Sequence, residues 1–336
     1  MNVGLIGSGL AANIHMLAYK HLEDVTVEAV SDINVSRAQA LAKKYQISKS
    51  FSNYVDLLEL RDLDVIDICT PTSTHATIAC DAASYVNNIL LEKPMARTTA
   101  ECDKIISKCE KKKVSLCICH SNLFHPSVKK AKLSANNGYR IVRTIFSGKP
   151  VHSWVSKPEE GGPLWEYGAH QAYLQRYFLG IVKEVYAVAH NKSGHDNSDI
   201  LAFLESANGS HGVMELSWTR EFLEESLELY SLNEIERIDL AWFPKQEEFN
   251  IYRHDIPSSG KELAKRTVKG LKFALYLRTR VFETSIPFHF DLIRSYIKSI
   301  QDGTPPPVKP NEGKDAIRLL ESVSSSLETG KRVRVQ

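Results

Sequence analysis

Three groups of residues in this 336-residue chain could do chemistry. The first is Leu90-Leu91-Glu92-Lys93-Pro94. The apolar run Ile89 to Leu91 reads as the end of a buried strand, which delivers a carboxylate and an ammonium side by side before a proline stops it. Charge at the carboxyl end of a parallel strand lies where open α/β sheets bind ligands; a plain surface ion pair at a strand exit would carry the same residues. The second is Gly7-Ser8-Gly9-Leu10-Ala11-Ala12, a GxGxxA turn. The third is Gly161-Gly162-Pro163-Leu164-Trp165-Glu166-Tyr167-Gly168-Ala169-His170. Glu166 and His170 are four apart, so on a continuous helix they share one face. A carboxylate one turn away would orient the imidazole and raise its basicity, which suits acid–base work.

The elements that must hold these groups follow from patterning. Val3 to Ile6 is a short apolar strand running into the glycine turn, and a helix follows. Gly7 permits the tight turn, Gly9 lets backbone approach a pyrophosphate, and Ala12 is small enough for close helix–strand packing. A second strand, Val25 to Val30, ends in Ser31-Asp32, and Asp32 falls about 20 residues past the turn, the offset for a carboxylate on the adenine ribose. In that context the weak motif reads as a dinucleotide site. Asp32 would repel a 2′-phosphate, which favours NAD over NADP; its alternative role is to cap the helix containing Arg37 to Tyr45. Strands at Val65 to Cys69, at Ile89 to Leu91 and at Val114 to Cys119 alternate with helical stretches over residues 54–60, 74–85 and 100–111. Such repetition requires a parallel sheet with right-handed crossovers.

After Gly180 the period changes. Lys183 to Ala189, Asp199 to Leu204, Gly212 to Trp218, Glu225 to Leu232 and Glu236 to Ala241 are strand-like, with a hairpin signal at Asn208-Gly209. Without helices between them they predict an antiparallel sheet. Helical segments at Phe288 to Ile300 and Gly313 to Thr329 close the chain, and Arg332 to Val335 adds a strand. The fold class is therefore α/β. Residues 1–120 form a parallel-sheet nucleotide-binding domain; residues 121–336 form an α/β domain with a large, mainly antiparallel open sheet.

Composition excludes several classes. Lys plus Arg (42) nearly balances Asp plus Glu (40), which gives no global signal for nucleic acid. No apolar run approaches the roughly 18 residues of a membrane span, and the first strand begins too early to leave room for a signal peptide. The six cysteines lie in apolar patterns without CxxC, so they read as reduced and the chain as cytoplasmic. Cys117, Cys119, His120 and His125 lack the spacing of a zinc site, and no metal is expected. The stretch Lys261 to Arg280 carries seven basic residues against Glu262 with apolar residues at roughly helical spacing. It reads as a solvated surface helix, with phosphate contact or a membrane-surface helix as alternatives.

Taken together, these motifs resemble the Gfo/Idh/MocA family of NAD(P)-dependent oxidoreductases over essentially the whole chain. The carriers are the glycine turn with Ala11 and His15, Thr70-Pro71 with His75, Glu92-Lys93-Pro94, the Gly161 to His170 segment, and the ending from Pro287-Phe288 to Thr329-Gly330. The resemblance implies a Rossmann domain whose NAD meets Gly7, Gly9, Leu10, Ala11, Asp32, Arg37, Thr70, Pro71, His75, Glu92 and Lys93. It implies Lys93 and His170 as the catalytic pair with Glu166 beside them, a sugar-like substrate, hydride transfer at a carbinol carbon of a sugar, cyclitol or nucleotide-linked sugar, and a homo-oligomer, dimer or tetramer. Relatives that oxidise transiently while retaining NAD, and non-catalytic ligand sensors, are the alternatives. Glu166 stands where the family usually has Asp, and Tyr173 where an Asp often follows the histidine by three. Both departures lie on the substrate side, so the substrate does not carry over.

Overall fold

The structure is a computed structural model that describes residues 1–134, 138–149, 162–192, 195–240 and 287–335. The basic stretch 261–280, the residue Gly161 and part of the strand expected at 236–241 lie outside the described residues.

Six parallel strands form the first sheet: β1 (Asn2–Ile6), β2 (Thr26–Ser31), β3 (Lys49–Phe51), β4 (Val65–Ile68), β5 (Asn88–Leu91) and β6 (Ser115–Ile118). Their order is β3-β2-β1-β4-β5-β6, the doubly wound arrangement with its switch point beside β1. β4 and the Ile89–Leu91 part of β5 are wholly buried, as strands covered on both faces must be. The covering helices are α1 (Leu10–Tyr19), α2 (Val35–Tyr45), α3 (Tyr54–Leu58), α4 (Thr72–Ala82) and α5 (Thr99–Lys112). Their starts are set locally. Asn34 and Thr98 accept backbone N–H bonds at the amino ends of α2 and α5, while Gln46 and Lys113 end those helices in the left-handed region.

A 3-10 turn (Ser121–Phe124) and α6 (Pro126–Ser134) lead into the second sheet. It has seven strands: β7 (Ile141–Ser147), β8 (Val182–Lys192), β9 (His195–Ser206), β10 (His211–Ser217), β11 (Glu224–Tyr230), β12 (Ile235–Asp239) and β13 (Val333–Arg334), in the order β12-β11-β7-β10-β9-β8-β13. The β9–β10 hairpin turns at Asn208-Gly209, with Gly209 at φ +82°. The sheet is mainly antiparallel but not wholly: β7 and β10 run parallel at its centre. Between them lie the short helix α7 (Gly162–Glu166), α8 (Gly168–Leu179) and the β8–β9 pair, a crossover long enough to return β10 in the same direction as β7.

The two faces of this sheet differ. Val142, Thr144 and Phe146 point toward α8, whose buried Gln175 reaches Thr144 Oγ1 at 3.1 Å and Val213 O at 2.9 Å. On the opposite face Arg143 pairs with Glu215 (2.6 Å) and Glu228 (3.2 Å), and Arg237 with Glu224 (2.6 Å) and Glu228 (3.1 Å).

The last two helices, α9 (Pro287–Gln301) and α10 (Pro310–Thr329), belong to the second part of the chain but serve both sheets. α9 packs on α1, and Tyr296 sends its hydroxyl to Ile89 O (3.0 Å) and Ser115 O (2.7 Å) in the first sheet. α10 lies between α5 and α8. The expected division at residue 120 thus separates the sheets but not the layers that cover them.

Candidate active site

The glycine turn is built for close approach. Gly7 has φ +99°, and a Cβ there would lie 2.4 Å from Cys69 O. Gly9 opens α1 without a side-chain cap, and a Cβ on it would meet nothing within 4 Å. The first-turn N–H groups of α1 therefore face open space, where an anion meets the positive end of the helix dipole. Leu10 is 54 % exposed at the same lip. Asp32 stands at the end of β2 and accepts from Ser8 N (2.9 Å), Ser8 Oγ (2.6 Å) and Asn34 N (2.8 Å). It does not cap α2, a task that Asn34 performs. Arg37 is exposed in the first turn of α2. An uncapped helix start, an open glycine and a carboxylate at the next strand end fit a dinucleotide.

Thr70 and Pro71 follow β4, and Pro71 precedes the first turn of α4. His75 is buried, its ring nitrogens 2.8 Å from Pro94 O and 2.8 Å from Thr70 O. It ties the loop after β5 to the loop after β4, so its place is behind the cleft, as a support for Lys93-Pro94. The Lys93–Pro94 peptide is cis.

Glu92 and Lys93 turn opposite ways. Glu92 is buried against His15 Nε2 at 2.9 Å, and its other oxygen takes the Lys93 N–H at 2.9 Å. His15 Nδ1 meets Asp67 at 2.8 Å, and Tyr19 donates to the same carboxylate at 2.9 Å. Burial alone would lower the His15 pKa, but Asp67 and its other polar neighbours hold it well above the ordinary value. Burial would raise Glu92, yet the His15 hydrogen bond and charge hold it below the usual carboxylate range. Ligand atoms of His15, Glu92, Cys119 and His289 lie within 4.8 Å of one another, a set different from the cysteines and histidines that sequence spacing brought up. A cationic imidazole between two carboxylates offsets part of their charge, and burial pushes the Cys119 thiol well up, away from the thiolate a metal would need.

Lys93 reaches from the end of the first sheet to Glu166, at the end of α7. Its Nζ lies 3.2 Å from Glu166 Oε1 and 3.3 Å from Glu166 O. An ammonium has three donors, and among the described residues Glu166 is the partner that holds it. His170 is brought to the same place from the first turn of α8. Its Nδ1 lies 2.8 Å from the Tyr173 hydroxyl, which also receives the Asn122 N–H at 3.2 Å. Its ring stacks on Phe146 at 5.9 Å and 13°. Burial first, then the Lys93 charge, holds the His170 pKa well below its ordinary value, so the ring is neutral.

Here the structure corrects the sequence reading. Tyr167, between α7 and α8, keeps a right-handed helical backbone, and its N–H still reaches Pro163 O at 2.9 Å. The partners nonetheless differ from the expectation: Glu166 is bonded to Lys93, and Tyr173, not Glu166, meets the ring of His170. The residue signal was present, since position 173 departs from the family's Asp. Sequence reasoning also missed His120, whose ring stacks on Tyr173 at 4.2 Å.

Comparison with known proteins agrees with this fold. Residues 1–121 match the model described as an oxidoreductase family with an NAD-binding Rossmann fold, and residues 139–231 match the Gfo/Idh/MocA C-terminal domain. Myo-inositol 2-dehydrogenase of Thermotoga maritima is 22 % identical over 100 % of this chain and 99 % of its own length. Levoglucosan dehydrogenase of Pseudarthrobacter phenanthrenivorans is 28 % identical over 56 % of this chain and 53 % of its own. A solved structure of a levoglucosan dehydrogenase with NADH superposes with a TM-score of 0.81 at 18 % identity, covering 100 % of this chain and 99 % of that one. No described helix is long and apolar enough to cross a membrane. The chain belongs to the Gfo/Idh/MocA family of oxidoreductases, with an NAD-binding Rossmann fold as its first domain.

Proposed function

We propose that this chain is an NAD-dependent dehydrogenase acting on a carbinol carbon of a sugar or cyclitol, with Lys93 and His170 as its catalytic pair. The observation that supports the reading is that Lys93, from the strand end after β5 and held by Glu166, lies near enough to His170 of α8 for its charge to be felt there, while burial holds that imidazole neutral. When bound, NAD supplies the hydride acceptor. The proton of the reacting hydroxyl must go elsewhere, and a neutral imidazole can take it. The Tyr173 oxygen accepts the Asn122 N–H; in the tautomer that leaves Nε2 of His170 as the base, it accepts the Nδ1–H as well. The third N–H of Lys93 is aimed at the hydroxyl oxygen and favours the alkoxide that develops there. Glu166 holds Lys93 by two contacts, which restricts where that ammonium can point. Asp32 selects NAD by its carboxylate, and Glu92 acts from behind, through His15 and the Lys93 backbone.

The test is incubation with NAD and a panel of cyclitols, free sugars and nucleotide-linked sugars, followed by NADH absorbance. Net NADH is expected with at least one neutral polyol. Lys93→Ala and His170→Ala should each lower that turnover about 10²–10⁴-fold with NAD binding intact. Wild-type rates in either variant would remove that residue from the mechanism.

A further inference from the structure

The face of the second sheet that carries Phe146 also carries a carboxyl with no part in the reading above. Glu225 stands opposite Phe146 in the β11–β7 register, and directly opposed residues of antiparallel strands project to the same face. Phe146 lies against His170, so Glu225 is directed to the layer that holds the site. Its companions on that face, Leu227 and Leu229, are fully buried. Its neighbours on the other face, Glu224 and Glu228, are both paired with Arg237. Glu225 has no such match among the described residues. Its Oε2 is shut off from solvent with no hydrogen-bond partner, although its backbone oxygen is held by Leu240 N at 2.7 Å. Burial pushes this carboxyl up to about 8; Lys93 pulls the other way, and Asp239 and Glu166 add to the rise. Tyr167 and Tyr173 both feel its charge.

A buried acceptor left unsatisfied is costly and uncommon in native proteins. Beside a catalytic ammonium, that cost points to a ligand that completes it. We propose that Glu225 is a substrate-binding and specificity residue: its carboxyl hydrogen-bonds a hydroxyl of the bound polyol and, once ionised, sets the site against anionic sugars. The inference deepens the dehydrogenase reading and rests on it for the identity of the polyol. A hydroxyl both donates and accepts, so it suits a carboxyl in either protonation state. The ionised carboxyl sets acceptor against acceptor with a phosphate or carboxylate, whereas the protonated one can donate to it, so the rejection of glucuronate is read at about pH 9, above the value of about 8 to which burial raises this group.

The experiment compares wild type with Glu225→Gln and Glu225→Ala as full chains. The probes are myo-inositol (neutral), glucosamine (cationic) and glucuronate (anionic). Turnover with NAD is measured, together with calorimetric binding of each probe to the NADH complex. A folded melting profile for Glu225→Gln separates binding from folding. Glu225→Ala should raise KM, or weaken probe binding, by about 10–100-fold, with kcat and NADH affinity far less affected. Glu225→Gln keeps the hydrogen bond, so it should lose less affinity and gain relative affinity for glucuronate. Unchanged KM and unchanged rejection of glucuronate in both variants would overturn the proposal. If wild type turns over none of the probes but binds the neutral or cationic ones in a Glu225-dependent way, the dehydrogenase reading falls and this inference stands. Binding that ignores position 225, or no binding of any probe, overturns it.

Discussion

Glu92 and Lys93 are neighbours in the chain, yet each belongs to a different polar cluster, and the two clusters are built on opposite terms. On the Glu92 side, Tyr19, Asp67, His15 and Glu92 form a chain of hydrogen bonds between 2.8 and 2.9 Å inside the first domain, with His289 of α9 3.9 Å from Glu92. Neither His15, Asp67 nor Glu92 has a buried side-chain atom left without a partner. On the Lys93 side, Glu166 is about a third exposed; among the described residues His170 is bonded through one nitrogen only, and Asn122, His120 and Glu225 each leave buried polar atoms unmatched. The contrast separates architecture from chemistry. A satisfied buried cluster fixes a backbone, here the strand end from which Lys93 projects. Among the described residues, the other leaves donors and acceptors open.

Breaking each cluster should therefore damage different properties. His15→Ala leaves two buried carboxylates facing each other without their cation. Removing one partner from a buried charge cluster costs about 3–5 kcal/mol, and the denaturant midpoint should fall accordingly. Lys93→Ala removes a partly exposed pair, worth about 0–1 kcal/mol, and should leave the midpoint nearly in place while turnover collapses. If the two variants lose equal stability, the distinction between the clusters is wrong.

Acid sharpens the same contrast. Burial lowers the pKa of His120 to about 3, of His125 to about 4 and of His289 to about 3, and holds His170 well below its ordinary value. These rings are neutral in the fold but take protons near 6.5 when unfolded. Their contribution is intact above 6.5 and is lost as pH falls toward their folded values. Each costs up to about 1.4 kcal/mol per pH unit over that window. His15 has the opposite sign: its raised pKa gives stability that is fully present below 6.5 and lost only as pH rises through the folded value. Urea midpoints should drop steeply from pH 7 to pH 5, and His120→Gln should flatten the drop. A flat profile in wild type would mean that the cleft histidines are already protonated or hydrated in the fold.

Much of the first cluster's setting was legible in the sequence. The GxGxxA turn, Asp32 at its offset and the strand ending in Glu92-Lys93 all depend on local spacing, which a sequence carries directly. The second domain was harder for physical reasons. The parallel pairing of β7 with β10 joins residues about 70 apart and leaves no mark in the alternation of either strand. The four-residue spacing of Glu166 and His170 suggested that they pair, but Lys93, which arrives from the first sheet, takes Glu166, and Tyr173 takes His170, and neither choice is written in that spacing. The segment EESLELY shows a strand, but which of its acids faces the arginines and which faces the cleft is set by register with β7.

The smallest expected effect probes how finely the open cluster is arranged. Tyr173→Phe keeps the ring that stacks on His120 at 4.2 Å and removes only the hydroxyl between Asn122 N and His170 Nδ1. His170 then retains its position and its proton-accepting nitrogen but loses the bond that selects its tautomer. Turnover should fall by about 10-fold, the scale of one hydrogen bond, far less than for His170→Ala. The fall should appear in kcat, with NAD affinity unchanged, because Tyr173 touches neither the glycine turn nor Asp32. Glu166→Gln is the matching control, since it weakens the hold on Lys93 and leaves Tyr173 in place. It should act through Lys93 and leave the acid limb of kcat/KM where it is, whereas Tyr173→Phe should move that limb. If instead Glu166→Gln moves the limb and Tyr173→Phe is silent, the wiring is the one that the four-residue spacing suggested, with the carboxylate and not the phenol governing the imidazole.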